Sequence, residues 1–262
     1  MGDTVKPKKH LGQHFLTDKG IARDIVDAIN PSTKNLIEIG AGTGVLTRYI
    51  LEKDIPNFKI IEIDTESVNY LLNHFKAMEN IIIEADFLHF KLEDLFQENF
   101  SIIGNFPYNI SNQILFKAYD YRQQVAEVVG MFQKEVAERI ASKPGNKKYG
   151  ILSVLLQAYY DIEYLFTVNE DVFDPPPKVK SGVIRLRRNK VVNLECDEKL
   201  FKTVVKTAFN QRRKTVGNAL KSMGAKEWHE DHNTLLGMRA EQLGVDEFIL
   251  LTKLASETIS RA

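Results

Sequence analysis

The chain of 262 residues contains one cysteine, Cys196, so it has no means of forming an internal disulfide or a cysteine-rich metal site. No apolar run reaches the length of a transmembrane helix, and the lysines near the N-terminus are not followed by an apolar segment. These absences predict a cytoplasmic protein in a reducing compartment, with neither a metal site nor a membrane anchor.

The formal net charge is zero, with 35 basic and 35 acidic residues, but the charges are unevenly distributed. Residues 175–221 contain 13 lysines and arginines against three acidic residues, whereas the rest of the chain is acidic. A local basic segment predicts a polyanion bound at one face of the protein. The alternative is an ordinary solvated basic surface.

The length exceeds that of most single domains, so we expect a large α/β domain at residues 1–190 and a small helical domain at residues 191–262. Strand patterns alternate with helix patterns as far as residue 159, and two further strands are expected at residues 160–168 and 179–187. This order predicts a mostly parallel sheet with an antiparallel edge.

A glycine-rich loop follows the first buried strand, at residues 40–44, and opens a helix. Gly40, Gly42 and Gly44 allow the backbone to pass close to a ligand, and free N–H groups at the helix start can receive a polar group. Val45 stands at the position where a dinucleotide fingerprint requires its third glycine, which argues against NAD.

Carboxylates end the next two strands. Glu62 and Asp64 follow the glycines by about twenty residues, where a carboxylate accepts both hydroxyls of a ribose, and the alternation of a strand leaves either residue available for this role. Asp86 ends the third strand and is expected to accept from an adenine amine, with Phe87 beside the ring. The carboxyl edge of the sheet is therefore a candidate nucleoside site.

The fourth strand leads into Asn105, Phe106, Pro107 and Tyr108. The Asn105 side-chain oxygen and a backbone carbonyl can accept hydrogen bonds from both N–H groups of a planar amine, while the Tyr108 ring covers the face of its ring. A simple turn is the alternative for this stretch. Phe173, in a stiff proline-rich loop, is expected either to form the other side of a base sandwich or to pack under its own loop.

In this order, the glycine loop, Glu62, Asp86, residues 105–108 and Phe173 resemble the motifs of the ribosomal RNA adenine-N6 dimethyltransferases, most closely the bacterial branch that acts on the small subunit. Residues 11–16, 173–186 and 209–214 are also similar to motifs of this family, so the resemblance extends over nearly the whole chain. It implies a Rossmann-like class I methyltransferase fold with S-adenosylmethionine as the methyl donor.

The resemblance also implies roles for individual residues. Cofactor contacts are expected from His14, Leu16, Gly40, Gly42, Glu62, Asp86, Phe87 and Asn105. Contacts with the target adenine are expected from Asn105, Phe106, Pro107, Tyr108 and Phe173. His14 stands where the family commonly has asparagine, and Phe106 where it commonly has leucine or isoleucine; the latter change should preserve the chemistry because this position acts through its carbonyl.

The implied substrate is small-subunit rRNA within an immature 30S-type subunit, methylated by a monomeric enzyme at two neighbouring adenosines near the RNA 3′ end. From the basic segment, RNA contacts are expected at Lys178, Lys180, Arg212, Arg213 and Lys214. Four alternatives remain at this point: a DNA adenine methyltransferase, a protein glutamine methyltransferase, a large-subunit rRNA dimethyltransferase, and a ribosome-assembly factor for which methylation is secondary.

Overall fold

A computed structural model describes residues 5–228 and 230–261, which form two compact units. The first unit comprises the chain up to Ala137 together with Ile162–Arg188, and the second comprises Glu138–Asp161 and the chain from Asn189 onward. The division after Arg188 lies next to the boundary expected after residue 190. Residues 138–161 differ from that expectation because they group with the second unit, in which helix 151–157 packs against the helices at 198–210 and 245–261.

Nine strands are present in the described residues: β1 Phe15–Leu16, β2 Asn35–Ile39, β3 Asn57–Glu62, β4 Ile82–Glu84, β5 Phe100–Asn105, β6 Val125–Gln133, β7 Tyr160–Val168, β8 Phe173–Asp174 and β9 Ser181–Arg188. Seven of them form one sheet in the order β4-β3-β2-β5-β6-β9-β7. The strands from β4 to β6 pair in parallel, and β9 pairs antiparallel with β6. The expected mostly parallel sheet with an antiparallel edge is confirmed.

The central strands are apolar because helices cover both faces of a parallel sheet. All five residues of β2 are buried, as are the first five of β5. The register pairs Ile39 with Ile61 and Glu62 with Glu84, so the carboxyl ends of β2, β3 and β4 lie at one edge of the sheet.

Ten α-helices occur in the described residues: α1 Lys19–Asp27, α2 Thr47–Leu51, α3 Thr65–His74, α4 Ser111–Asp120, α5 Lys134–Ala141, α6 Ile151–Gln157, α7 Glu198–Asn210, α8 Val216–Ala219, α9 Asn233–Gly237 and α10 Val245–Arg261. Asp18, Asp64 and Asp197 each accept a backbone N–H at the start of α1, α3 and α7. Each of these N-cap side chains satisfies a backbone N–H that has no partner within the helix, and so fixes where the helix begins.

The two remaining strands, β1 and β8, form a separate antiparallel pair in the first unit. Leu16 lies opposite Phe173, and both side chains are buried in the hydrophobic core. This pair holds the N-terminal segment against the proline-rich loop. It was not predicted, since each strand has only two residues and their partners are far apart in the chain.

The second unit has its own helical core. Phe209 on α7 stacks against Phe248 on α10 with ring centroids 5.9 Å apart, and Trp228 donates from its ring nitrogen to Thr258 at 3.0 Å. Throughout the described part of the chain, no helix is both long and apolar enough to cross a membrane.

Candidate active site

A cavity in the first unit opens at the carboxyl ends of β2, β3, β4 and β5. Its wall combines five short segments, each following one strand or preceding the first helix. The lining residues are Leu11, Gly12, Gln13, His14, Phe15, Ile39, Gly40, Gly42, Ile61, Glu62, Ile63, Ala85, Asp86, Phe87, Leu88, Pro107, Asn109 and Ile110. The structure therefore brings together the four strand ends at which the sequence predicted a nucleoside site.

The glycine loop and Glu62 are joined directly. Gly42 has a φ of +55°, and its N–H donates to Glu62 Oε2 at 3.0 Å. A Cβ at Gly42 would lie 2.8 Å from the Phe15 ring, so both conformation and space require glycine there. The Gly40 N–H donates to the Ile61 carbonyl at 3.0 Å, which ties the loop to the end of β3.

Glu62 is only 3% exposed, although it lines the cavity. Its second oxygen, Oε1, accepts from the Asp64 N–H at 2.9 Å. Burial raises the pKa of Glu62, and the backbone donors of Gly42 and Asp64 oppose this effect. Backbone donors hold both oxygens and orient the carboxylate, and its remaining lone pairs can accept from ribose hydroxyls.

Asp64, the other ribose candidate, is used differently. It lies outside the lining of the cavity and begins α3, where its side chain accepts from the Glu66 N–H at 3.3 Å. It also receives hydrogen bonds from Lys8, Gln13 and Ser67. Of the two alternatives left open by the sequence, the geometry favours Glu62 as the group that faces a ligand.

Asp86 and Phe87 both line the cavity. Asp86 Oδ1 accepts from the Leu88 N–H at 2.8 Å, and Oδ2 lies 2.7 Å from His89 Nδ1. Phe87 is 3% exposed, so it offers a supporting wall rather than a freely exposed ring. Their placement is consistent with an adenine-binding end of the cavity.

The segment before α1 contains two residues that were expected to contact the cofactor, His14 and Leu16, and they lie in different surroundings. His14 lines the cavity, its Nδ1 lies 2.7 Å from the Pro175 carbonyl, and its ring stacks on Tyr108 with centroids 5.4 Å apart. Leu16 is 2% exposed and lies outside the lining, in the core beside Phe173. Only His14 is therefore placed to touch a molecule in this cavity through its side chain.

Asn105 is the last residue of β5, and its amide is held in one orientation. Nδ2 donates to the His14 carbonyl at 2.8 Å, while no described residue donates to Oδ1. The free oxygen is the acceptor that a planar amine requires. Asn105 does not itself line the cavity, but its partner His14 does, which places the amide beside the wall.

Phe106 and Pro107 shape the chain after Asn105. The Phe106 ring is 1% exposed, tilts against Phe132 and fills the space left by Gly104 and Gly130, where a Cβ would lie 2.6 Å and 2.1 Å from it. Phenylalanine at this position therefore acts as core, in keeping with the expectation that the position acts through its carbonyl. Pro107 lines the cavity next to Gly40.

Tyr108 is partly buried, and its hydroxyl lies 2.5 Å from Ser181 Oγ at the start of β9. Burial raises the pKa of the Tyr108 phenol, with the Ser181 bond opposing, so the group stays protonated at neutral pH. Ser181 had no signal in the sequence that linked it to Tyr108, since the contact is between residues far apart in the chain.

Phe173, the second expected stacking ring, is 4% exposed and packs in the core opposite Leu16. The ring packs beneath its own loop, and its role as a second stacking surface for a target base stays a prediction. Tyr108 is the more exposed of the two expected stacking rings.

Lys117 on α4 is a site residue that sequence reasoning missed. Its ammonium donates to the carbonyls of Phe87, Leu88 and Phe90, and it lies 4.8 Å from the centroid of the Phe87 ring. These contacts fix the loop after β4 that carries Asp86. A lysine within a helix pattern gives no indication of such a role.

The residues expected to bind RNA occur in both units. Lys178 and Lys180 are exposed in the loop before β9 of the first unit. In the second unit Arg213 and Lys214 are exposed, and Lys214 donates to Gln211 Oε1 at 2.9 Å. Arg212 is partly engaged, since it donates to the Lys147 carbonyl and pairs with Glu241 at 3.5 Å.

The family described as "Ribosomal RNA adenine dimethylase" matches residues 4–257 of the chain. The chain belongs to this family. A protein of Cytophaga hutchinsonii named "Ribosomal RNA small subunit methyltransferase A" is 58% identical over 97% of this chain and 99% of that protein. A protein of the same name from Flavobacterium johnsoniae is 53% identical over 96% of each chain. The resemblance seen in the sequence motifs is confirmed.

Two solved structures share the fold over nearly their full length. A dimethyladenosine transferase from Plasmodium falciparum aligns with a TM-score of 0.76 at 23% identity, covering 94% of this chain and 98% of that one. The 23S rRNA methyltransferase ErmE aligns with a TM-score of 0.67 at 21% identity, covering 91% and 99%. At these identities the likeness shows the architecture, which is the class I methyltransferase fold that was expected.

Proposed function

We propose that the protein transfers methyl groups from S-adenosylmethionine to N6 of two adjacent adenosines near the 3′ end of small-subunit rRNA. One observation of the structure carries this proposal: the Asn105 amide donates to the carbonyl of His14, a residue that lines the nucleoside-type cavity, and no described residue donates to its oxygen. Membership of the rRNA adenine dimethylase family, with relatives similar over nearly their entire length, supports the choice of substrate.

The residues of the cavity fit the proposed cofactor. Glu62 offers an oriented carboxylate for the two ribose hydroxyls, and Asp86 with Phe87 offers an acceptor and an apolar wall for adenine. Gly40 and Gly42 leave the backbone uncovered where the methionine part would pass. When bound, S-adenosylmethionine supplies a methyl group already activated by a sulfonium.

The chain's own task at the reacting centre is to orient the amine. The N6 lone pair of adenine is delocalised into the ring, so the site must favour the pyramidal and nucleophilic form of the amine. Asn105 Oδ1 and the Phe106 carbonyl do this by accepting hydrogen bonds from the two N–H groups of the amine as positive charge develops on its nitrogen. Because these acceptors act by placement, the reaction needs no side chain with a strongly shifted pKa.

The target adenine has to leave its stack to reach Asn105. The Tyr108 ring, fixed through its hydroxyl to Ser181, offers a surface on which the base can stack. Base–aromatic stacking contributes about 1–3 kcal/mol per base. We therefore assign to Tyr108 the capture of the extruded base and to Asn105 its alignment.

The RNA itself is proposed to bind through the exposed cations of each unit, chiefly Lys178, Lys180, Arg213 and Lys214. The substrate is proposed to be the immature 30S-type subunit rather than free RNA, methylated by a monomer in the cytoplasm, where ribosomes are assembled. The names of the relatives do not favour a large-subunit substrate or a role limited to assembly.

The test is the transfer of labelled methyl from S-adenosylmethionine to four substrates offered in parallel. These are small subunits lacking the modification, large-subunit RNA, duplex DNA and a protein with a glutamine acceptor. We expect label only in small-subunit rRNA, as N6,N6-dimethyladenosine at two adjacent positions. Labelling of large-subunit RNA, DNA or protein, or no labelling of small subunits, would contradict the proposal.

A further inference from the structure

Residues 8–15, here termed the N-terminal strap, supply five of the cavity-lining residues and are tied to the sheet by one buried carboxylate. We propose that Lys8 and Asp64 are positioning residues that hold the strap as the wall of the cofactor cavity. The proposal rests on the proposed function, because it concerns binding of S-adenosylmethionine. Neither residue touches the cavity, so neither is a catalytic residue.

Asp64 is at the centre of the attachment. Its side chain is 1% exposed and forms an ion pair with Lys8, whose side chain is 28% exposed. Gln13 Nε2 donates to Asp64 Oδ2 at 3.2 Å, and the Lys8 N–H donates to Gln13 Oε1 at 2.8 Å. Lys8 and Gln13 thus hydrogen-bond to each other and to the same carboxylate. The strap is therefore attached to Asp64 at two of its residues, Lys8 and Gln13.

Two further contacts of Asp64 come from its own helix. Ser67 Oγ donates to Oδ2 at 3.0 Å, and the Glu66 N–H donates to Oδ1 at 3.3 Å. Burial alone would raise the pKa of Asp64, but the hydrogen bonds from Lys8, Gln13 and Ser67 outweigh it and lower the pKa. The carboxylate is therefore charged at neutral pH and depends on the strap for part of its compensation.

The other end of the strap is attached to the reacting centre. Asn105 Nδ2 donates to the His14 carbonyl at 2.8 Å, and Asn109 Nδ2 donates to the His10 carbonyl at 3.3 Å. Gly12 turns the strap between these points with a φ of +67°. The strap consequently spans the cavity from the end of β3 to the end of β5, anchored by polar contacts on both sides.

The Asp64 attachment also bears on Glu62. The Asp64 N–H donates to Glu62 Oε1, so a shift of Asp64 changes the orientation of the carboxylate that faces the ribose. Loss of the Lys8 contact would therefore loosen both the strap and Glu62, while Asn105 keeps its own anchor to His14. This geometry predicts a loss in cofactor affinity with little change in the rate of methyl transfer once the cofactor is bound.

The variants that test this are Lys8→Met, Asp64→Asn and the double variant. The readouts are the dissociation constant and dissociation rate of S-adenosylhomocysteine, and kcat at saturating S-adenosylmethionine. Lys8→Met removes the ammonium but keeps the apolar stem, and it should raise the dissociation constant about fivefold to tenfold, mainly through faster dissociation. The kcat should stay within about twofold of wild type, because Asn105 keeps its own anchor and its hydrogen bonds to the amine.

Matched controls separate this role from ordinary structural support. Lys6→Met changes an exposed lysine two residues earlier, and Ser67→Ala removes a bond to the same carboxylate from outside the strap. Lys6→Met should bind S-adenosylhomocysteine like wild type, and Ser67→Ala should weaken binding less than Lys8→Met because it leaves the strap attached to Asp64. The double variant should bind no more weakly than Asp64→Asn alone, since both single changes break the same contact.

If Asp64→Asn does not fold, Lys8→Met decides the question alone, because Lys8 is near the surface. Wild-type-like affinity of Lys8→Met, or equal losses in the Lys6→Met control, would overturn the inference. A drop only in the cofactor-free unfolding temperature would overturn it as well, because that is the effect of structural support alone. Failure of the wild-type protein to bind S-adenosylhomocysteine would instead refute the proposed function, which keeps the two failures distinguishable.

Discussion

Replacing Glu38 with glutamine should stabilise the protein at alkaline pH and leave its stability at acid pH nearly unchanged. Glu38 lies on β2, is 1% exposed and accepts from Thr47 Oγ1 at 2.7 Å. Burial raises its pKa to about 8, the Thr47 bond opposes this, and the charge of Glu62 adds to it. At neutral pH the folded protein therefore carries Glu38 mainly as the neutral acid, for which glutamine is a close substitute in size and polarity.

The sign follows from proton binding in the two states. Between the ordinary glutamate pKa of 4.5 and about 8, folded Glu38 keeps its proton and the unfolded chain releases it. The unfolded state then binds fewer protons, so the free energy of unfolding falls as the pH rises. At about 1.4 kcal/mol per pKa unit, the largest possible loss across this window is about 5 kcal/mol. Glutamine carries no such proton and escapes this loss.

The assay is urea unfolding of the cofactor-free protein from about pH 5 to about pH 8.5. The difference in stability between Glu38→Gln and wild type should grow with pH by several kcal/mol, with similar values near pH 5. Glu52→Gln, a change at an exposed glutamate, serves as the control and should show no growing difference. Parallel pH profiles for Glu38→Gln and wild type would refute the assignment of a buried neutral acid.

Three further changes test other parts of the structure. Gly130→Ala places a Cβ 2.1 Å from the Phe106 ring and should lower the free energy of unfolding in urea by about 1–3 kcal/mol. Adding Phe106→Leu should partly restore stability, so the double variant should lose less than the sum of the two single losses. A double variant that loses the full sum would contradict the contact between Gly130 and the Phe106 ring. Glu62→Gln should weaken S-adenosylhomocysteine binding about tenfold to a hundredfold in calorimetry, and unchanged binding would remove Glu62 from the site. Tyr108→Ala should lower kcat/KM for small subunits by about tenfold or more, whereas Tyr108→Phe, which loses only the Ser181 bond, should retain most activity; equal losses would refute base stacking.

Much of the sheet could be predicted because its signals are local. The apolar runs of β2 and β5 are bounded by glycines and proline, and helix caps such as Asp18 stand directly before their helices. Since parallel strands present their carboxyl ends at one edge, motifs far apart in the chain could be assigned to one cavity. The cavity lined by Gly40, Glu62 and Asp86 agrees with that reasoning.

The details that could not be predicted depend on contacts between distant segments. Alternation along a strand gave Glu62 and Asp64 the same direction, but β3 ends at Glu62 and Asp64 turns to cap α3. The burial of Phe173 follows from its pairing with Leu16, which has no local signal. Lys117 likewise reaches three carbonyls only because α4 lies beside the loop after β4.

The boundaries of the two units could be predicted only in part from the sequence. The change from strand to helix patterns near residue 190 marks one end of the first unit. Residues 138–161 carry the end of α5, the whole of α6 and the start of β7, and nothing in their composition indicates that they group with the C-terminal helices. Membership in a unit is decided by which apolar faces meet, and a single sequence does not specify those partners.

Whether Asn105 orients the target amine is tested most directly by methyl transfer to unmodified small subunits by Asn105→Ala at saturating S-adenosylmethionine. Saturation matters because this change also removes the bond from Asn105 to the His14 carbonyl and so weakens the strap. We predict a fall in kcat of at least about a hundredfold, with subunit binding close to that of wild type. Transfer within about tenfold of the wild-type rate would contradict this role of Asn105, because the amine would then be oriented without it.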